Sequence, residues 1–252
     1  DTHFSTFNAA IASGSWTFAD KSTLTGAVDY RKSPYLSAWT ALQGQPFLKL
    51  YDMLKVKTKE EVDQLAIDRT ATYKSATIGY SRPLTDKLQW SADATIADIT
   101  GTIASGGVEA TLAPGADYYA STQLIATSMF ADSDMYIAGL RFARRPDSNL
   151  YVIDLSARYP LTADLRINPR LRVGYRVGEV TDLKEWSVLP SLLLNYYWTK
   201  DLSLELEVGT QWTRRDQLGV RETTTDLFLT AGFRYDFYAD GKSKCAWPLL
   251  AC

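Results

Sequence analysis

Every second residue from Leu165 to Val177 is apolar or proline, and this alternation limits the possible folds more than any other feature of the chain. The positions between them are polar or glycine and include four arginines, Arg166, Arg170, Arg172 and Arg176. A period of two is typical of a β-strand with two different faces. A strand of this length exceeds the usual five or six residues, but it suits a tilted crossing of a bilayer, which takes roughly ten.

The same alternation recurs along most of the chain. It is clear in Leu202 to Trp212 and in Leu227 to Phe237, where apolar residues alternate with acidic residues, threonine, arginine and glycine. Together with weaker versions of the pattern, it predicts eleven strands. They lie at 4–18, 23–31, 70–81, 88–99, 118–130, 135–144, 150–159, 165–177, 186–198, 202–212 and 227–237.

The predicted connections alternate between short and mostly longer segments. The short ones, at 19–22, 83–87, 131–134, 162–164 and 199–201, all contain Asp, which turns favour. The others lie at 32–69, 100–117, 145–149, 178–185 and 213–222. This sorting is typical of an up-and-down barrel with short periplasmic turns and long outer loops. The sequence therefore predicts an all-β, antiparallel, up-and-down transmembrane β-barrel over residues 1–238.

Aromatic residues, many of them Tyr and Trp, cluster at both ends of the predicted strands, as in proteins whose surface passes from lipid to water. One group lies at the short-turn end: Trp16, Phe18, Tyr80, Trp90, Phe130, Tyr136, Tyr159, Trp198 and Phe237. The other lies at the long-loop end: Tyr30, Tyr73, Tyr118, Tyr151, Tyr175, Trp186 and Trp212. We expect these groups to form two girdles.

Two features depart from a simple closed barrel. Pro169 and Pro190 fall inside predicted strands, where the missing N–H predicts a bulge or a local break. Eleven is an odd number, whereas single-chain bacterial barrels have an even number of strands. The chain starts at Asp1, either as a processed mature protein or as a fragment. We expect a further strand upstream of Asp1, which would make twelve strands and place both ends in the periplasm.

Residues 33–69 interrupt the alternation and have helical spacing at 37–42, 47–55 and 58–67. Thr58 and Glu61 form a capping box, which predicts the start of a helix. A shared apolar surface is expected from Phe47, Leu50, Leu54, Val62, Leu65 and Ala66. We interpret this insertion as a compact outer loop, with a lid or a plug as the alternative. In the tail, 239–252, Cys245 and Cys252 either form a small-loop disulfide or remain two thiols.

Composition excludes several classes of function. The chain has 27 basic and 29 acidic residues, and this balance does not favour nucleic acid as a partner. Its single histidine, His3, lies near the amino end, so we expect no His-based metal site, no catalytic triad and no cofactor. We expect that the chain is not an enzyme. No stretch is long and apolar enough to predict a transmembrane helix.

Charges on the predicted inner face indicate how the lumen is filled. Arg166, Arg170, Arg172 and Arg176 are expected one strand away from Asp154 and two strands away from Glu205 and Glu207. Opposite charges in a narrow lumen should pair, so we expect a cross-lumen network with little free bore. The alternative is an arginine ladder that binds or conducts anions, including anionic polysaccharide.

The run from Thr230 to Phe237 resembles the terminal insertion signal of Gram-negative outer-membrane barrels, with matching positions at Thr230, Gly232, Tyr235 and Phe237. The resemblance implies recognition by the barrel-assembly machinery. The stretches 12–17 and 158–165 resemble the carboxyl-terminal barrel domains of larger outer-membrane proteins that have periplasmic helical repeats upstream. This resemblance implies an outer-membrane location and supplies the missing strand. The tail after Phe237 departs from the terminal position of the signal.

These observations leave more than one function open. The first hypothesis is a membrane anchor or assembly component of a larger envelope complex, in contact with outer-membrane lipid and with periplasmic or envelope protein partners. The second is a channel or export pore for anionic solutes or polysaccharide, gated by the insertion 33–69. A third, outside the membrane, is a soluble β-sandwich adhesin.

Overall fold

The computed structural model describes residues 9–33, 37–179 and 182–237. Within these ranges the chain forms one eleven-stranded antiparallel sheet, in which the strands pair in sequence order. The strands are β1 Ala9–Thr17, β2 Thr23–Ser33, β3 Ala71–Thr85, β4 Leu88–Ile99, β5 Asp117–Thr127, β6 Met135–Arg144, β7 Ser148–Pro160, β8 Leu165–Gly178, β9 Lys184–Tyr197, β10 Leu202–Gln217 and β11 Val220–Tyr235. The predicted all-β, up-and-down architecture with eleven strands is confirmed.

The sheet is open in the part of the chain that the structure describes. β1 and β11 are its two edges, and each pairs with a single neighbour. Because each strand is antiparallel to the next, the first and the eleventh run in the same direction. These two edges therefore cannot join each other by another antiparallel ladder.

The pairing register separates two faces along the whole sheet. On the face we call the apolar face, side chains line up in rows that cross the strands. One row is Ala12, Val28, Ala76, Ile96 and Tyr118, another is Leu124, Ala138, Leu155, Leu171 and Pro190, and a third is Ile167, Leu194, Leu206 and Ala231. The opposite face, which we call the polar face, carries Asp154, Arg172 and Glu207.

The apolar face does not cover a hydrophobic core. Among the described residues, the buried apolar side chains are Leu183 and five members of the insertion, and none lies in a strand. By contrast, Leu206 is 40% exposed and Leu229 is 70% exposed. An apolar surface of this extent without a covering layer is rare in soluble monomers.

Several predicted boundaries shift in the structure. The predicted loop 213–222 is wrong, because β10 and β11 continue through it to a two-residue turn at Leu218 and Gly219. Both turn residues have positive φ, 50° and 80°, as the tightest hairpins require. The connection predicted at 145–149 also shortens to 145–147, so two of the five connections at the long-loop end are short.

The two internal prolines each produce the expected local break. Pairing between β7 and β8 stops after Ser156–Arg170 and resumes at Tyr159–Ile167, which leaves Pro169 outside that ladder. Pairing between β9 and β10 stops after Ser191–Gly209 and resumes at Val188–Trp212, which leaves out Pro190. The register is the same on both sides of each gap, so these are breaks and not bulges.

The insertion folds around a small core of its own. It contains a 3-10 helix at Ala38–Leu42, α1 at Leu50–Met53 and α2 at Lys59–Asp68. The predicted capping box is confirmed, with Thr58 and Glu61 bonded reciprocally at the start of α2. The buried core is Ala38, Ala41, Met53, Val62 and Ala66, and Leu42, Phe47, Leu50 and Leu65 pack against it. Leu54, expected on this surface, is 39% exposed instead.

Candidate functional site

Asp154 lies at the centre of an ionic cluster on the polar face. It stands on β7 directly opposite Arg172 of β8, whose Nε donates to Asp154 Oδ1 at 2.7 Å. Arg141 of β6 binds the other carboxylate oxygen, Oδ2, through Nε at 2.8 Å and also through Nη2. One carboxylate therefore holds two guanidinium groups in fixed positions.

A second cluster crosses three strands. Arg170 on β8 lies opposite Ser191 on β9, and Ser191 Oγ donates to Glu207 Oε1 on β10 at 3.0 Å. Arg170 Nη1 lies 3.6 Å from the same Glu207 oxygen. Two arginines of β8 therefore pair with acidic residues of nearby strands, Arg172 with Asp154 one strand away and Arg170 with Glu207 two strands away.

The other predicted charges lie outside these two clusters. Arg166 donates from Nη1 to the Tyr197 hydroxyl at 3.3 Å, and its guanidinium lies 5.0 Å from the centre of that ring. Arg176 lies opposite Glu185 on β9, and its buried Nε has no hydrogen-bond partner among the residues that the structure describes. Glu205 faces Asn195 on β9 and Gly232 on β11. The arginines of β8 thus have different neighbours and do not form a uniform row.

Charge is balanced over the polar face as the register defines it. The cationic side chains are Arg31, Arg141, Arg158, Arg166, Arg170, Arg172, Arg176, Arg215 and Arg234. The acidic side chains are Asp29, Asp93, Asp117, Asp154, Glu185, Glu205, Glu207, Glu222 and Asp226. The two sets are equal in size, which favours a paired network over a ladder of one sign.

The two clusters share one cavity of about 590 Å³. Residues from β5 to β10 line it, so the polar face is concave across six neighbouring strands. The side chains of Arg141, Arg170 and Arg172 are 54%, 51% and 55% exposed, respectively. The network therefore leaves space beside its guanidinium groups.

Aromatic rings line both ends of the apolar face. At the long-loop end, Tyr175 lies 4.4 Å from Trp186 and 6.5 Å from Tyr151, which lies 5.1 Å from Phe142. At the short-turn end the pairs are Tyr80–Trp90, Phe130–Tyr136 and Tyr196–Trp198. The prediction for Tyr73 is wrong, because Tyr73 lies on the polar face beneath the Arg31 guanidinium.

Two short turns are fixed by aspartates. In the β5–β6 turn, Asp134 is 1% exposed, and its carboxylate accepts from the backbone N–H groups of Met129, Phe130 and Ala131, each at 2.8 Å. Burial by itself would raise the pKa of Asp134, but these hydrogen bonds outweigh it and lower that pKa. In the β1–β2 turn, hydrogen bonds from Ser22 lower the pKa of Asp20.

Arg69, which the sequence analysis missed, joins the insertion to the β4–β5 connection. It is 7% exposed, and Nη2 donates to the carbonyls of Ser105 and Gly106 at 3.0 and 2.8 Å. Nη1 donates to the carbonyl of Ala41 in the insertion. Burial lowers the pKa of Arg69. A lone arginine after a helix gives no sequence signal for this role.

The residues that resemble the insertion signal lie on β11 and just beyond it. Thr230 and Gly232 are opposite Glu207 and Glu205, on the polar face. Tyr235 ends the strand, whereas Phe237, expected inside it, follows the strand and is 86% exposed. Its ring lies 4.7 Å from that of Tyr235. His3, Cys245 and Cys252 lie outside the described residues, as does the tail 239–252.

Comparison of the chain with protein-family models finds no match, and comparison with curated proteins finds none either. None of the helices in the described ranges has the length and apolar character needed to span a membrane. In the same ranges, no three His, Cys, Asp or Glu side chains converge as a metal site would require.

Proposed function

We propose that this chain is the wall of an outer-membrane β-barrel that anchors a larger envelope assembly, with a lumen crossed by paired charges. The observation that carries the proposal is the exposed apolar face, which continues across eleven strands and is not covered by any other part of the described chain. An apolar face of this size is unfavourable in water and stable against the hydrocarbon of a membrane.

The size of the apolar face supports this reading. On β10 its apolar-face positions run from Leu202 to Trp212, and Arg214 follows on the same side. The ten steps between the eleven residues of this run, at about 3.3 Å each, span about 33 Å along the strand. At the usual tilt of roughly 40° this is about 25 Å of membrane depth, the height of the apolar band in outer-membrane barrels.

The direction of β1 and β11 determines how many further strands the barrel needs in order to close. An antiparallel barrel needs an even number of strands, so the gap between β1 and β11 takes an odd number of further strands, each antiparallel to its neighbours. The strand expected upstream of Asp1 would meet this requirement. It would run from the short-turn end to the long-loop end and would remove both exposed edges.

The test of the membrane proposal is a heat-modifiability gel of the full chain refolded in lipid vesicles. A folded barrel migrates differently from the boiled chain and should be protected from added protease over its strands. If the refolded chain stays soluble without lipid or detergent and shows no shift, the proposal is wrong and the soluble adhesin is favoured.

A second candidate function is passage of anionic solutes. It is favoured by the open space beside Arg141, Arg170 and Arg172, because a lumen completely filled by ion pairs would leave no such cavity. Single-channel recording separates the two functions. Steady current that changes with Arg172→Ala would favour transport, whereas a folded barrel without steady current would favour the anchor.

A further inference from the structure

We propose that the cavity on the polar face is a binding site for a sugar that carries one carboxylate, that is, a uronate. This inference rests on the proposed barrel, because the cavity is enclosed only if the polar face lines a lumen. Its volume of about 590 Å³ lies within the range of sites that hold small ligands.

The charges that line the cavity favour a monoanion. Three arginines face it, Arg141, Arg170 and Arg172, together with the two carboxylates of Asp154 and Glu207. Three positive charges and two negative charges leave the lining with one positive charge in excess. Asp154 is shared by Arg141 and Arg172. A dianion such as phosphate would gain less here, because it would also lie close to both carboxylates.

The guanidinium groups are held in position before any ligand binds. Arg172 contacts Asp154 through Nε, and Arg141 does so through Nε and Nη2. Arginine has five N–H donors, so both residues keep donors that can turn toward the cavity. Because Asp154 fixes both side chains, a bound carboxylate would order little that is not already ordered.

The neutral lining suits the rest of a sugar. Gln123 and Ser156 bring amide and hydroxyl groups to the cavity, which can donate to and accept from sugar hydroxyls. The Ser121 hydroxyl, which already donates to Asp93, adds an acceptor. Ile137 on β6, between the strands of Gln123 and Ser156, and Leu189 on β9, opposite Arg172, also lie on the polar face and offer an apolar contact for the C–H side of a ring. A purely inorganic anion would use neither of the two apolar groups.

The test is calorimetric titration of the full chain, refolded in lipid nanodiscs, with galacturonate as the probe and neutral galactose, which lacks only the carboxylate, as its control. We expect galacturonate to bind and galactose to bind at least about tenfold more weakly. Arg172→Gln and Arg141→Gln should each weaken galacturonate binding about tenfold, the effect of one lost hydrogen bond to a charged group.

The matched control is Arg215→Gln. Arg215 is also an arginine of the polar face, but it lies near the hairpin end of β10, donates to Gln217 Oε1 at 2.7 Å and does not line the cavity. Its substitution should leave binding within about twofold of the unmodified chain. Equal weakening by Arg215→Gln and Arg172→Gln would show a general charge effect and overturn the site.

A further variant and a second measurement complete the test. If Arg172→Gln fails to fold, Arg172→Lys takes its place in the test. Lysine keeps the positive charge but lacks the planar guanidinium, so binding should weaken about threefold. Equal affinity for galactose, or no binding of galacturonate, would overturn the inference. The heat-modifiability gel of the same sample separates the two proposals. A shifted band without binding leaves the barrel standing and removes the site, whereas a missing band contradicts the barrel itself.

Discussion

Substitution of Leu206 by arginine tests whether the apolar face lies against hydrocarbon. Leu206 is near the middle of the apolar run of β10, between Leu194 on β9 and Ala231 on β11. Arginine on the lipid side of a barrel costs about 2–4 kcal/mol at the bilayer midplane. Leu206→Arg should therefore lower the folding equilibrium constant roughly 30- to 700-fold, since 1.4 kcal/mol corresponds to a factor of ten.

The measurement is equilibrium unfolding of the full chain in phosphatidylcholine vesicles, with tryptophan fluorescence as the signal. The matched control is Leu202→Arg, at the short-turn end of the same run, where the cost should be no more than about 1 kcal/mol. Thr230→Arg, on the polar face opposite Glu207, should cost little because it gains a carboxylate partner.

In water the expected result is different. An exposed leucine on a soluble sheet can be replaced by arginine within about 0.5 kcal/mol. A change in the free energy of unfolding of that size for Leu206→Arg would refute the reasoning. So would equal costs at Leu206 and Leu202, because depth in a bilayer is what distinguishes these two positions.

Three further predictions concern the loops and turns. Arg69→Gln should destabilise the insertion by about 2–3 kcal/mol, because the buried carbonyl of Ala41 and the part-buried carbonyls of Ser105 and Gly106 lose their donor, and limited proteolysis should cut 100–116 faster. The pKa of the Asp134 carboxyl is lower in the folded protein than in the unfolded chain, where it is about 4. The ionised carboxylate therefore stabilises the fold completely above about pH 4, and this stabilisation is lost as the pH falls through the pKa of the folded state. Asp134→Asn should therefore flatten the decrease of Tm between about pH 5 and pH 2. Thr58→Ala should cost about 1 kcal/mol and speed amide hydrogen exchange at the start of α2, whereas Thr58→Ser should leave exchange almost unchanged.

The strands could be predicted from sequence because their signal is local. Alternation identifies a strand wherever one face is apolar and the other is polar, as in β8. It fails in the β10–β11 hairpin beyond Trp212, where Arg214 and Asp216 occupy the apolar-face side and Arg215 the other. A strand that is polar on both sides has no alternation, so this segment resembles a loop in sequence.

The partners within the site depend on register, which alternation does not provide. Asp154 was expected near the arginines of β8, and the pairing opposite Arg172 agrees with that expectation. Arg141 was missed because its contact with Asp154 is set by the β6–β7 register, in which Asp154 lies opposite Gly139.

The two proline breaks make one part of the wall more compliant than the rest. β8 and β9 pair continuously with each other, but the ladder is interrupted on the outer side of each, toward β7 and toward β10. Bending a sheet is easiest where its interstrand hydrogen bonds are missing. We therefore expect β8 and β9 to move together as one rigid unit, while the surrounding strands keep their register. This motion would carry Arg170 and Arg172 toward or away from the lumen axis.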